Sequence, residues 1–194
     1  MPRWVLLGLG VLACAGAFVP AACRREPRAR QYVESGTEVP RTPAAARTEQ
    51  TEWNWENPRQ WRQETGTGLR LATFSIGGGN SKGQCALVPL PGDGGGIEAN
   101  VLRWLTELDL PQFSTAELAG FLGRQNQLLS RDRRPVTIID FTTLAPGPLN
   151  PSLMVAIVPA GNQTLFVKLS GGKELLEKNR DIFLSFCRSL SRGG

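Results

Sequence analysis

Apolar residues recur along this chain in three rhythms, each predicting a different element. The first is an unbroken run: residues 4–19 carry no charge and are rich in Leu, Val, Gly and Ala. The second has the period of a helix. Ile97, Val101, Trp104, Leu105 and Leu108 fall at the 3.6-residue spacing that makes one apolar face, and Leu110-Pro111 ends it. Ser114-Thr115-Ala116-Glu117 is a capping-box pattern opening a second helix, with Leu118, Phe121 and Leu122 inward. A third helix is predicted over Lys173–Ser189, with Leu175, Ile182, Phe183, Phe186 and Leu190 as its buried stripe. The third rhythm belongs to strands. Segments 70–76, 85–90 and 136–143 are rich in β-branched and aromatic residues. Segments 153–158 and 164–169 flank Pro159-Ala160-Gly161-Asn162 and read as a hairpin. Trp53 and Trp55 share a face if 52–56 is extended.

The order is strands, two helices, strands, one helix. Antiparallel strands with helices packed on the sheet make an α+β layer domain, placed here at residues 51–191. Residues 24–50 have another character: six Arg, four Glu, two Pro beyond the first and few large apolar side chains. Such a segment buries too little apolar surface to offset the entropy of ordering, and 23–50 reads as a disordered tether. Its length gives a reach on the order of 30 Å as a flexible coil.

Charge sharpens this picture by exclusion. The formal net charge is +5, yet residues 51–194 hold 15 basic and 13 acidic groups. That near balance is no electrostatic footprint for nucleic acid. Histidine is absent, which removes the commonest general base and the commonest metal ligand. No Cys-x-x-Cys pair occurs among the four cysteines. No cofactor or metal site is expected.

Several residues still invite a chemical reading. The run Gly92-Asp93-Gly94-Gly95-Gly96 precedes a helix. It is either an anion cradle of backbone N–H groups or a tight turn needing positive φ. Asp93, Asn100 and Arg103 are the candidate ligand-binding residues beside it. Arg103 and Glu107 stand four apart, the spacing of an ion pair on a solvated helix face. Asp140 interrupts a strong strand. Such a carboxylate either faces solvent or sits in a cleft as a base, and with no second carboxylate or His nearby in sequence it is not assigned to catalysis. Trp53, Trp55, Trp61 and Trp104 either fill the core or stack on sugar rings. Cys85 and Cys187 are either a disulfide pair or two buried thiols.

The basic start at Arg3, the apolar run and the close at Pro20-Ala21-Ala22-Cys23 have the plan of a secretory leader at 1–22. A Cys directly after small residues resembles the lipobox of bacterial lipoproteins. That resemblance implies a mature chain beginning at Cys23, acylated on sulfur and nitrogen and held to the membrane by its acyl chains. Arg24, in place of an Asp after the Cys, implies by the same resemblance the outer membrane of a diderm envelope. A cut at Cys14, simple secretion and a retained membrane helix are the other readings; all of them export the domain. Trp53, Pro58 and Trp61 before a strand, the long middle insertion and Phe183-Leu184-Ser185-Phe186 near the end resemble the PsbP-like fold. The segment from Pro91 to Trp104 is also similar to a Pro-Gly-Asp-x-Gly-Gly-x-x-Ala-Asn-Val-x-Arg-Trp stretch of bacterial envelope proteins. These resemblances imply binding or assembly in the envelope, through a protein partner there, more than catalysis. The alternatives are a small-ligand module at the Gly-rich loop and, third, a hydrolase.

Overall fold

A computed structural model of the chain describes residues 53–65, 68–79 and 81–193. The leader at 1–22, the tether at 23–50 and Cys23 lie outside the described residues. The strands are β1 (Trp53–Asn54), β2 (Arg62–Thr65), β3 (Ala72–Gly78), β4 (Ser81–Pro91), β5 (Asn126–Leu129), β6 (Pro135–Asp140), β7 (Pro151–Ala160), β8 (Gln163–Gly172) and β9 (Ser191–Arg192). The helices are α1 (Ile97–Glu107), α2 (Thr115–Gly123) and α3 (Lys173–Ser189). Seven strands form one antiparallel sheet in the order β2-β3-β4-β8-β7-β6-β5, and β1 pairs with β9 apart from it. The expected α+β class is what the chain adopts.

Period-two alternation sorts the sheet's side chains between two apolar layers. Phe74, Cys85, Leu87, Met154, Ala156, Val158, Leu165 and Val167 pack with Phe183, Phe186 and Cys187 of α3. Leu153, Val155, Ile157 and Phe166 pack instead with Val101, Trp104 and Leu105 of α1 and with Leu118 and Phe121 of α2. Strand β7 is therefore buried on both faces, which is why its sequence reads Leu-Met-Val-Ala-Ile-Val without polar alternation. α1 and α2 back the β6–β8 part of their face and reach Leu90 at the end of β4. Toward the β2 edge this face carries polar side chains: Arg62 Nε donates to Ser75 Oγ (3.3 Å), and Arg70 Nη1 donates to Gln84 Oε1 (3.1 Å).

The helix starts have local causes. Ser114 Oγ accepts from the Glu117 N–H at 3.4 Å, while the Glu117 carboxylate accepts from the Ser114 N–H at 2.7 Å, so the expected capping box is formed. α3 has no side-chain cap; its first N–H groups, on Lys173 and Glu174, donate to the carbonyls of Asn150 and Pro148. Of the expected α3 stripe, Phe183, Phe186 and Leu190 are buried, Leu175 and Ile182 are half-buried, and Leu176 and Cys187 complete the buried face. Leu175 lies over a glycine of the sheet: a Cβ on Gly83 would stand 2.8 Å from Leu175 and 2.9 Å from the Ser170 carbonyl.

Trp53, Trp61 and Trp104 are buried and Trp55 is half-buried. Trp61 lies 5.9 Å from Phe74 and 5.6 Å from Phe186, ring centre to ring centre, and its indole N–H donates to Asn179. The tryptophans serve as core. Cys85 and Cys187 are both free thiols, fully buried in the α3-side layer. Burial pushes both thiols well above the ordinary range, and proximity to Cys187 raises Cys85 further.

The turn between β5 and β6 fastens the end of the domain. Burial opposes ionisation of Asp132. Even so, hydrogen bonds from Ser130 Oγ, the Arg192 N–H and Arg134 Nε, with the Arg134 charge, hold its carboxyl below the ordinary range. A carboxyl whose folded pKa is depressed stabilises the fold above its unfolded value, near 4, and that contribution is lost as pH falls through the lower folded value. Asp132→Asn is therefore expected to lower stability by about 1 kcal/mol at pH 7. Urea midpoints of the two proteins should converge as pH falls below about 4; a constant gap would contradict the assignment.

Candidate functional site

Two places gather polar side chains around a concavity or turn. The first is the Gly-rich loop between β4 and α1. Gly92, Gly94, Gly95 and Gly96 all have positive φ, between 59° and 92°, so the turn reading of this run describes its backbone. Asp93 Oδ1 accepts from the Gly95 N–H (2.9 Å). Asn100 is 4% exposed, and its amide donates to the carbonyls of Gly94 (2.9 Å) and Gly96 (2.7 Å). Arg103 donates to Asn100 Oδ1 and lies over the Trp104 ring at 5.7 Å. The structure thus brings Asp93, Asn100 and Arg103 together, with the two amide donors of Asn100 turned onto the loop itself. Gly92 is held against the β7–β8 turn by its N–H to Asn162 O (2.8 Å) and by Thr164 Oγ1 to its own carbonyl (2.8 Å). Glu107 pairs with Lys168 of β8, at 2.6 and 2.8 Å, rather than with Arg103. The reason is that Lys168 projects from the sheet face that α1 covers, whereas Arg103 is drawn to Asn100.

The loop also carries a steric condition. Gly94 has φ +67° and a Cβ there would lie 2.3 Å from the Phe166 ring, which packs on Trp104. Gly94→Ala is expected to cost about 2 kcal/mol from backbone strain and overpacking. A thermal unfolding midpoint within a degree of the parent would contradict this.

The second place is a cleft of about 500 Å³ at the β5–β6 end of the sheet. Its anchor is Asp140, 8% exposed on the last position of β6. The side chain does not face solvent. Alternation along β6 puts it with Val136 and Ile138 on the α3 side, where Arg180 of α3 forms an ion pair with it. Asp140 Oδ1 accepts from Thr142 N (2.9 Å) and Thr142 Oγ1 (2.7 Å), and Arg180 Nη2 donates to Thr142 Oγ1 (2.9 Å). Gln125 closes the network from the other side: its Oε1 accepts from Asp140 N (2.9 Å) and its amide donates to Phe121 O (3.0 Å). A carboxylate engaged by three donors is a structural and electrostatic anchor, not a free base. Arg124, Asn126 and Thr143 line the same cleft. Phe121 and Leu144 supply its apolar wall.

Sequence reasoning singled out Asp140 but missed Arg124, Gln125 and Arg180. The partners are 15 to 40 residues away and come from two other places, the end of α2 for Arg124 and Gln125 and α3 for Arg180. One signal was present: Asp140 and Arg180 are a lone charge on a β-branched strand and a charge on a helix flank bordering the apolar stripe. A smaller cleft of about 350 Å³ lies between residues 56–60 and the second half of α3. Two carboxylates line it, Asp181 and Glu56, and Glu56 is taken by an ion pair with Arg131.

No family model matches the chain, and no curated protein sequence matches it. Among solved structures it is similar to the crystal structure of LpqN, involved in cell envelope biogenesis of Mycobacterium tuberculosis, at 13% identity and a TM-score of 0.43, over 73% of this chain and 83% of that one.

Proposed function

We propose that this chain is an exported lipoprotein of the cell envelope, anchored through acyl groups on Cys23, whose α+β domain binds or assembles with an envelope component without transforming it. The single observation that carries this reading is the leader: one basic residue, an uncharged run over 4–19 and Ala21-Ala22-Cys23. Two or more acyl chains anchor a protein stably, since each buried methylene contributes about 0.8 kcal/mol. Among the described residues no helix is long and apolar enough to cross a membrane. Binding rather than catalysis is supported by the Asp140 network, in which the one carboxylate lining the cleft is already neutralised by Arg180 and saturated by Thr142.

Membrane fractionation tests the anchor. The parent chain should sediment with membranes and resist extraction by high salt, and Cys23→Ser should shift it to the soluble extracytoplasmic fraction or leave it as unprocessed precursor. A Cys23→Ser chain of normal size that stays with the membrane would overturn the proposal.

A further inference from the structure

The cleft beside Asp140 holds two guanidinium groups and one carboxylate, an uncompensated positive charge in a concave site. Arg180 spends two of its N–H edges on Asp140 and Thr142. Arg124 has no acidic partner among the described residues, although its backbone is fixed as the C-cap of α2 by an N–H to Phe121 O. Asn126 and Thr143 likewise have side chains with no hydrogen bond among the described residues. A planar guanidinium is built to grip a two-oxygen anion with paired parallel hydrogen bonds, and the amide and hydroxyl beside it complete a donor set.

From this geometry we infer that the cleft binds a small ligand through one oxyanion group, a carboxylate or a phosphate, with Arg124 as its principal partner. Asn126 and Thr143 bond the remaining oxygens, and Phe121 and Leu144 cover the ligand's apolar side. Asp140 works through Arg180: it holds that guanidinium at the wall and takes no part in contact. The alternative charge type is disfavoured, because a cation would meet Arg124 and find the Asp140 oxygens already occupied. The negative end of the α2 dipole works against an anion here. It amounts to about half a charge in a nine-residue helix, and the uncompensated full charge of the Arg124 guanidinium outweighs it.

This inference rests on the reading of the domain as a binding module, and the two fail separately. The detergent-purified full chain is titrated with inorganic phosphate and, in parallel, with acetate, at ionic strength held constant with sodium chloride, following the thermal midpoint. One anion should raise the midpoint saturably, and which one does so identifies the oxyanion. Arg124→Gln should weaken the fitted dissociation constant at least tenfold, Asn126→Ala severalfold, and Arg133→Gln, on an exposed turn outside the cleft, should leave it unchanged. Arg124→Gln should not alter membrane fractionation. If neither anion shifts the midpoint beyond chloride, or if Arg124→Gln and Asn126→Ala both bind as the parent does, the inference is wrong while the anchor stands.

Discussion

Phe74→Ala is expected to cost about 4 kcal/mol, enough to consume a large part of the stability of an ordinary domain. Phe74 is fully buried on β3. Its ring centre is 5.4 Å from Phe186 and 5.9 Å from Trp61, so three aromatic rings close the space between β2, β3 and α3. Removing this ring deletes its transfer free energy and the edge-to-face contact with Phe186, whose interplanar angle is 74°. The hole cannot easily collapse. Trp61 is tied by its indole N–H to Asn179 on α3, and β3 is locked between β2 and β4. Phe74→Leu should cost much less, because most of the volume is kept. Urea denaturation measures both, and a Phe74→Ala loss below about 1 kcal/mol would mean that this layer is not packed as described.

Arg180→Met carries the second large effect, about 2–3 kcal/mol near pH 7. Breaking a buried ion pair from one side commonly costs about 3–5 kcal/mol because the surviving charge stays desolvated. The lower figure applies here since the Arg180 side chain is 32% exposed, and Asp140, at 11%, keeps its two bonds from Thr142. Removing both charges should restore most of the loss. In a double-mutant cycle, Asp140→Asn with Arg180→Met should therefore be more stable than the sum of the single changes implies. Additive losses would show that the two side chains do not act as a pair.

These two positions illustrate what the sequence makes legible. Elements with a strong period were readable to within a few residues: α3 spans Lys173–Ser189 as its stripe predicts, and the α2 capping box announces its own start. The double-sided burial of β7 was visible in an apolar run without alternation. The short strands were not visible. β2 reads Arg-Gln-Glu-Thr and β5 reads Asn-Gln-Leu-Leu; each is an edge strand paired on one side only, so its sequence need not carry an apolar face. The site was legible in one residue of its network. Asp140 stands out against Ile138, Ile139 and Phe141, but what makes it part of a cleft is Arg180 on a different element and Gln125 beyond the end of α2. A pairing of that kind follows from the order of strands in the sheet, and strand order is decided by long-range packing rather than by local pattern. The Gly-rich loop was the converse case. Its composition allowed both an anion cradle and a tight turn; the backbone is that of the turn, and the Asn100 amide donates to the loop's own carbonyls.

The proposed function of this protein depends on the leader being removed and Cys23 being acylated. Intact-mass measurement of the chain extracted from membranes tests that most directly. The account predicts residues 23–194 carrying the added mass of two or three acyl chains, which base hydrolysis of the esters reduces. It also predicts two further thiols, Cys85 and Cys187, that alkylate only after unfolding, as their burial requires. A mass equal to the unmodified full-length polypeptide, recovered from the cytosol with residues 1–22 still attached, would contradict it.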